Sequence, residues 1–129
     1  MKKRSGHFIF SEDFHYSDLE KIFPALMDRF LEETGLMPDE EVHEIYLRVN
    51  MDDIVRDRKP EGINRRGRFR MIFPIPENGA RKEMYIQANT KVTELKRVVQ
   101  IISDMLREGG IEHELVWDKL DKVHRELKE

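Results

Sequence analysis

The residue pattern predicts a mixed α+β domain with element order β-α-β-β-β-α: an antiparallel meander with two helices on one face, plus a C-terminal strand and helix segment. Two observations predict it. Apolar and polar residues alternate in three successive stretches, at 42–51, 68–75 and 83–90, as in strands that bury one face. Residues 17–34 and about 91–108 instead repeat apolar residues at the three- and four-residue spacing of an amphipathic helix.

The elements follow in order. Residues 7–10 are a short apolar run, a first strand with Phe8 and Phe10 on one side. In 17–34, Ser17 and Glu20 have capping-box spacing. Leu19, Ile22, Phe23, Leu26, Met27, Phe30 and Leu31 form one stripe. Gly35 suits a left-handed stop, and Pro38 opposes continuation. Pro24 predicts a kink, or two helical pieces meeting there. In 42–51, Ile45, Leu47, Val49 and Met51 point inward, and Glu44, Tyr46, Arg48 and Asn50 outward. In 68–75, Phe69, Met71, Phe73 and Ile75 point inward, and Arg68, Arg70 and Ile72 outward, with Pro74 and Pro76 at the exit. A turn at 77–79 leads to Met84, Ile86 and Ala88 inward, and Tyr85, Gln87 and Asn89 outward. The second helix carries Val92, Leu95, Val98, Val99, Ile102, Met105 and Leu106, and stops at Gly109 and Gly110. The tail has two readings. Ile111, His113, Leu115 and Trp117 alternate, after which Leu120, Val123 and Leu127 recur helically behind Asp118; one continuous helix is the rival. Either way 111–129 is expected to dock and bury Trp117, while 1–5 are expected to be disordered.

A chain of 129 residues is expected to be one domain, 1–129, large enough to bury roughly two-thirds of its unfolded surface. It has no cysteine, which excludes disulfides, zinc fingers and thiol catalysis. No apolar run approaches the ~20 residues of a membrane helix, and no apolar stretch follows the basic start Met1, Lys2, Lys3, Arg4. A soluble, cytoplasmic protein without a membrane partner is therefore expected. The net charge of −3 conceals asymmetry: residues 11–44 hold eleven acids and two bases, whereas 56–70 hold seven bases and two acids.

Recognisable chemistry is missing. There is no Walker loop, dinucleotide-binding glycine fingerprint or nucleophile elbow. The five histidines lack metal-ligand spacing; His7, His15 and His43 could meet only through the fold. Asp52 and Asp53, after a predicted strand, are the best-placed carboxylate pair. No catalytic residue, metal or cofactor is expected.

Two surfaces remain. The first is the basic connection, with Arg56, Arg58, Lys59, Arg65, Arg66 and Arg68, where arginine outnumbers lysine six to one over 56–70. Guanidinium forks suit phosphate or carboxylate. The bland alternative is a solvated loop, or one lying against the acidic first helix. The second is the outward sheet face: Tyr46, Arg48, Arg70, Tyr85 and Gln87, with Arg68 and Ile72. Interleaved aromatic and basic residues on a sheet can stack bases and neutralise phosphates. An amphipathic face covered by the tail is the alternative.

From the helix at 17–34 to that ending at 108, the element order resembles double-stranded-RNA-binding folds. With the first strand added it resembles ribosome-hibernation factors. The start of the second helix, residues 89–97, lacks the dense lysine cluster of such RNA-binding domains, and no site residue is carried over.

The leading expectation is a non-catalytic binding or regulatory protein working through protein contacts, with a second copy of the chain an open partner. RNA or other nucleic-acid binding, through the loop and sheet face, comes second. An enzyme without a recognisable motif comes third.

Overall fold

The computed structural model describes residues 3–64 and 67–120. Strand β1, Lys3–Phe10, turns Gly6, Phe8 and Phe10 to one side and Ser5, His7 and Ile9 to the other. Residues 3–5, expected to be disordered, are thus its first turn of pleat, and Ser5 is buried. A 3₁₀ turn, Tyr16–Leu19, precedes helix α1, Phe23–Thr34. Pro24 lies in the first turn of α1, where its missing N–H breaks no helical bond, and separates the two pieces. At the 3₁₀ start the Asp18 carboxylate, rather than the Ser17–Glu20 pair, accepts the His15 N–H. Gly35 ends α1 at φ 70°, a left-handed conformation glycine adopts without strain.

The largest departure from the sequence reading follows. Residues 42–51, predicted as a strand, belong to helix α2, Glu40–Val55. Asp39 caps it by accepting the Val42 N–H, and Glu40 and Glu41 sit at its positive end. Asn50 and Ile54 are its buried residues, with Tyr46, Leu47 and Met51 packed beside the core. Ile45 and Val49, expected inside, are 40% and 38% exposed. The inward helical stripe carries a polar Asn50 while the outward face carries Ile45 and Val49, so the apolar residues by themselves alternate.

Strands β2, Phe69–Ile72, and β3, Glu83–Asn89, then helix α3, Val92–Glu108, and strand β4, His113–Trp117, complete the order. The sheet order is β2-β3-β1-β4, and every pair is antiparallel. This is a split β-α-β layout, with two helices in the first connection and one in the second, rather than a meander. The order that carried the resemblance to double-stranded-RNA-binding folds is therefore not formed.

Phe8, Phe10, Phe69, Met71, Met84, Ile86 and Ala88 line the inner face and share one core with Leu26, Met27 and Phe30 of α1 and Leu95, Val98, Val99, Ile102 and Leu106 of α3. Helix α3 comes so close at Gly6 that a Cβ there would lie 2.7 Å from Val99 Cγ2. Ile75, expected inside, is exposed beyond the end of β2. The tail begins as a strand, as one of its two readings had it, and the chain is helical again at Lys119 and Leu120; Val123 and Leu127 lie outside the described residues. Trp117, expected to be buried, stays more than a third exposed, with Lys96 Nζ 5.8 Å from its ring centre.

Candidate functional site

Strand register determines what shares the outer face. Across β1 and β3, Lys3 pairs with Asn89, Ser5 with Gln87, His7 with Tyr85 and Ile9 with Glu83. Across β2 and β3, Arg70 pairs with Gln87 and Ile72 with Tyr85. One row therefore reads Arg70, Gln87, Ser5 and the next Ile72, Tyr85, His7, because paired residues project to the same side. Of the predicted face, Arg70, Ile72, Tyr85 and Gln87 come together here. Tyr46 and Arg48 do not: both lie on α2, Tyr46 half-buried beside the core and Arg48 exposed.

One end of this face is cationic. A cleft of about 210 Å³ is lined by Lys3, Gly67, Arg68, Arg70, Gln87, Ala88 and Asn89, with no acidic side chain among them. Among the described residues, Lys3, Arg68 and Arg70 make no side-chain hydrogen bond or salt bridge. Arg68 acts at longer range on Glu94, whose carboxyl is held below the usual range first by the Arg97 hydrogen bond and then by neighbouring charges. Lys3 is the member sequence reasoning missed. Its alternation with Ser5 and His7 was the available signal, but not its place beside Asn89.

The loop arginines are differently engaged. Arg56 pairs with Asp52 at 3.4 Å, and Arg58 reaches Asp52 at 3.1 Å and Asp53 at 3.2 Å. Lys59 Nζ donates to the Pro60 carbonyl at 3.2 Å. Asp52 and Asp53, on the last turns of α2, thus serve as partners for Arg56 and Arg58. Arg65 and Arg66 lie outside the described residues.

The other end of the face holds a polar chain. His7, 1% exposed, donates from Nδ1 to Glu83 Oε2 at 2.8 Å, and its Nε2 lies 2.8 Å from the Oγ of Ser5, itself 2% exposed. Lys119 closes on the second Glu83 oxygen. Burial by itself would push the Glu83 carboxyl up, but the hydrogen bonds and charges of His7 and Lys119 outweigh it and hold it below the usual range. Burial, and then the Glu83 charge, push the Tyr85 phenol up. Hydroxyl, imidazole and carboxylate follow the order of a catalytic triad. However, Ser5 is sealed from solvent, and its backbone N–H, the usual oxyanion donor, is bound to Asp118 Oδ1 at 3.1 Å. The chain braces the face rather than presenting a nucleophile.

The remaining described histidines stay apart: His15 faces Asp57, His43 faces Asp28 and His113 faces Ser103. No group of three potential ligands that could hold a metal occurs among the described residues. A concavity of about 580 Å³ has a mainly acidic rim, with Asp13, Asp18, Glu20 and Glu112 against Lys21. No described helix is long and apolar enough to cross a membrane. Compared with protein-family models, curated proteins and solved structures, the chain matches none.

Proposed function

We propose that this is a non-catalytic binding protein that takes the backbone of a single-stranded nucleic acid on its outer sheet face. The observation that carries this reading is the cleft where Lys3, Arg68 and Arg70 converge without acidic partners, with amides at Gln87 and Asn89 and the Tyr85 ring farther along the same face. Guanidinium forks match phosphate geometry, and exposed rings on a sheet tolerate any base. The acidic stretch 11–44 lies in the 3₁₀–helix region rather than on this face, so attraction is confined to one surface. The protein-contact expectation drew on the acidic helix, the basic loop and the amphipathic tail together, and the nucleic-acid expectation on the loop and the sheet face; in the loop, Arg56 and Arg58 are already paired.

Fluorescence anisotropy with a labelled eight-nucleotide oligouridylate tests the proposal. Binding should weaken with salt, and Arg68→Ala and Arg70→Ala should each lower the log–log salt slope by ~0.7, the contribution of one single-strand phosphate contact. An unchanged slope in the double variant, or no binding at low salt, would refute it.

The protein-contact reading keeps one specific support: Ile45 and Val49, four residues apart on one face of α2, are both exposed. A partner that is retained after nuclease treatment and lost with Val49→Asp would favour it.

A further inference from the structure

We infer that the outer face also holds a slot for a planar ring beside Tyr85, and that residues 118–120 form a strap closing it. This rests on the nucleic-acid reading and assigns its second subsite and its control.

The strap has a defined anchor. Strand β4 ends at Trp117, and Asp118 takes φ 53°, which turns the chain off the strand. Asp118 is stitched to β1 twice: its N–H donates to the Ser5 carbonyl at 2.8 Å, and its Oδ1 accepts the Ser5 N–H at 3.1 Å. Arg4 stands 3.7 Å from the same carboxylate. Lys119 then crosses β1 to reach Glu83 on β3, two strand spacings or ~10 Å from β4. His7, itself bonded to Ser5, holds that carboxylate in place.

Beneath the strap, a cavity of about 330 Å³ lies between Leu120 and residues 74–76, with His7 and Tyr85 on its floor. That volume equals ~10 waters, room for one small ring system. The His7 ring lies beside Tyr85 on the same face, at a centroid distance of 4.8 Å, and flanks its phenol. Pro74, Pro76 and Leu120 supply apolar walls. The slot and the cationic cleft share β3, with Tyr85 and Glu83 at one end and Gln87 and Asn89 at the other. A ligand long enough to fill the cleft and reach Tyr85 meets the strap. The strap's ion pair joins a lysine that is 42% exposed to a Glu83 carboxylate that is 14% exposed, so a competing anion can reach the ammonium from the solvent side. A ligand phosphate can replace the Glu83 carboxylate as the partner of Lys119, so opening need not strand the ammonium.

The test compares a two-nucleotide with an eight-nucleotide oligouridylate. Asp118→Gly keeps the left-handed turn and removes the carboxylate clasp; Glu83→Gln weakens the tie to Lys119. Each should bind the longer probe about three- to tenfold more tightly, as when a minority open state is promoted, and leave the shorter one unchanged. Adding Tyr85→Ala should abolish the gain. Hydrogen exchange of the wild type gives a readout that does not depend on the variants folding: the Asp118 amide should lose protection when the longer probe binds and keep it with the shorter. If the longer probe binds while these affinities and that protection stay unchanged, the strap is refuted and the cleft stands. If neither probe binds any form, the nucleic-acid reading itself fails.

Discussion

Asn50→Ala should be among the most damaging single substitutions in this chain, although Asn50 is a polar residue in a helix. It is 1% exposed and faces the connection between α2 and β2. Its Oδ1 accepts the Gly62 N–H at 2.7 Å, and its Nδ2 donates to the Gly62 carbonyl at 3.2 Å and to the Tyr46 carbonyl at 2.8 Å. One side chain thus satisfies both backbone groups of a buried residue. No side chain at position 62 can do so, because Gly62 has φ 76° and an added Cβ would collide with the Met71 carbonyl oxygen. Alanine strands a donor and an acceptor at about 1–3 kcal/mol for a full orphan. Counting the donor fully and the acceptor in part gives about 2–4 kcal/mol. At ~4 °C per kcal/mol for a domain of this size, Tm should fall roughly 8–16 °C by calorimetry. The loss should appear first at the Ile63–Met71 bridge next to Gly62, as faster amide exchange at Ile63 and Met71. Asn50→Asp keeps the acceptor but loses the donor and buries a charge, so it should not rescue. An Asn50→Ala protein melting within about 2 °C of wild type, on the same size scale, would show that the clasp carries no net stability.

Gly6→Ala should cost about 1–3 kcal/mol, because its Cβ would lie 2.7 Å from Val99 Cγ2 and 3.0 Å from Trp117 Cζ3. Adding Val99→Ala should recover part of that loss in urea titrations followed by the emission of the single tryptophan. His113 supplies a pH test. Burial pushes its imidazole down and Arg107 adds to this, against the Ile111 carbonyl bond; its Nε2 lies 2.7 Å from Ser103 Oγ, with the Phe8 ring 5.7 Å away. The folded form therefore takes up its proton later than the unfolded chain does. That contribution is complete above about pH 6.5, the ordinary value, and is lost as pH falls below it through the lowered folded value. The wild type should lose stability more steeply than His113→Leu over that window; parallel curves would refute the assignment. On the exposed side of α2, Ile45→Lys and Val49→Lys should change stability by about 0.5 kcal/mol or less, whereas inward-facing strand residues would lose several times more.

Periodicity settled those parts of the fold in which one face of an element is dominated by apolar residues. The stripes of α1 and α3 are long, with Thr34 and Ser103 as their buried polar members, so their helices, the stop at Gly35 and an interruption at Pro24 could be read directly. Alternation likewise put Arg70, Tyr85 and Gln87 on the side opposite Met71, Met84 and Ile86. Helix α2 defeated the same logic because its inward stripe includes Asn50, whose partner Gly62 is twelve residues away, while Ile45 and Val49 face outward. Local signals did exist, in Asp39 as a cap, Glu40 and Glu41 behind it, and no glycine or proline from there to Lys59. Tertiary structure alone decided the rest. Helical spacing set Asp52 against Arg56, and the turn after α2 brought Arg58 to Asp52 and Asp53, which left Arg68 and Arg70 as the described arginines of this stretch without described partners. Inserting β1 between β3 and β4 brought Lys3 to Asn89, His7 to Glu83 and Asp118 to Ser5, pairs separated by up to 113 residues. Hydrophobic period reports which way a side chain faces, but strand order is a nonlocal choice made by the whole core, and it determined which charges share the outer face and what covers it.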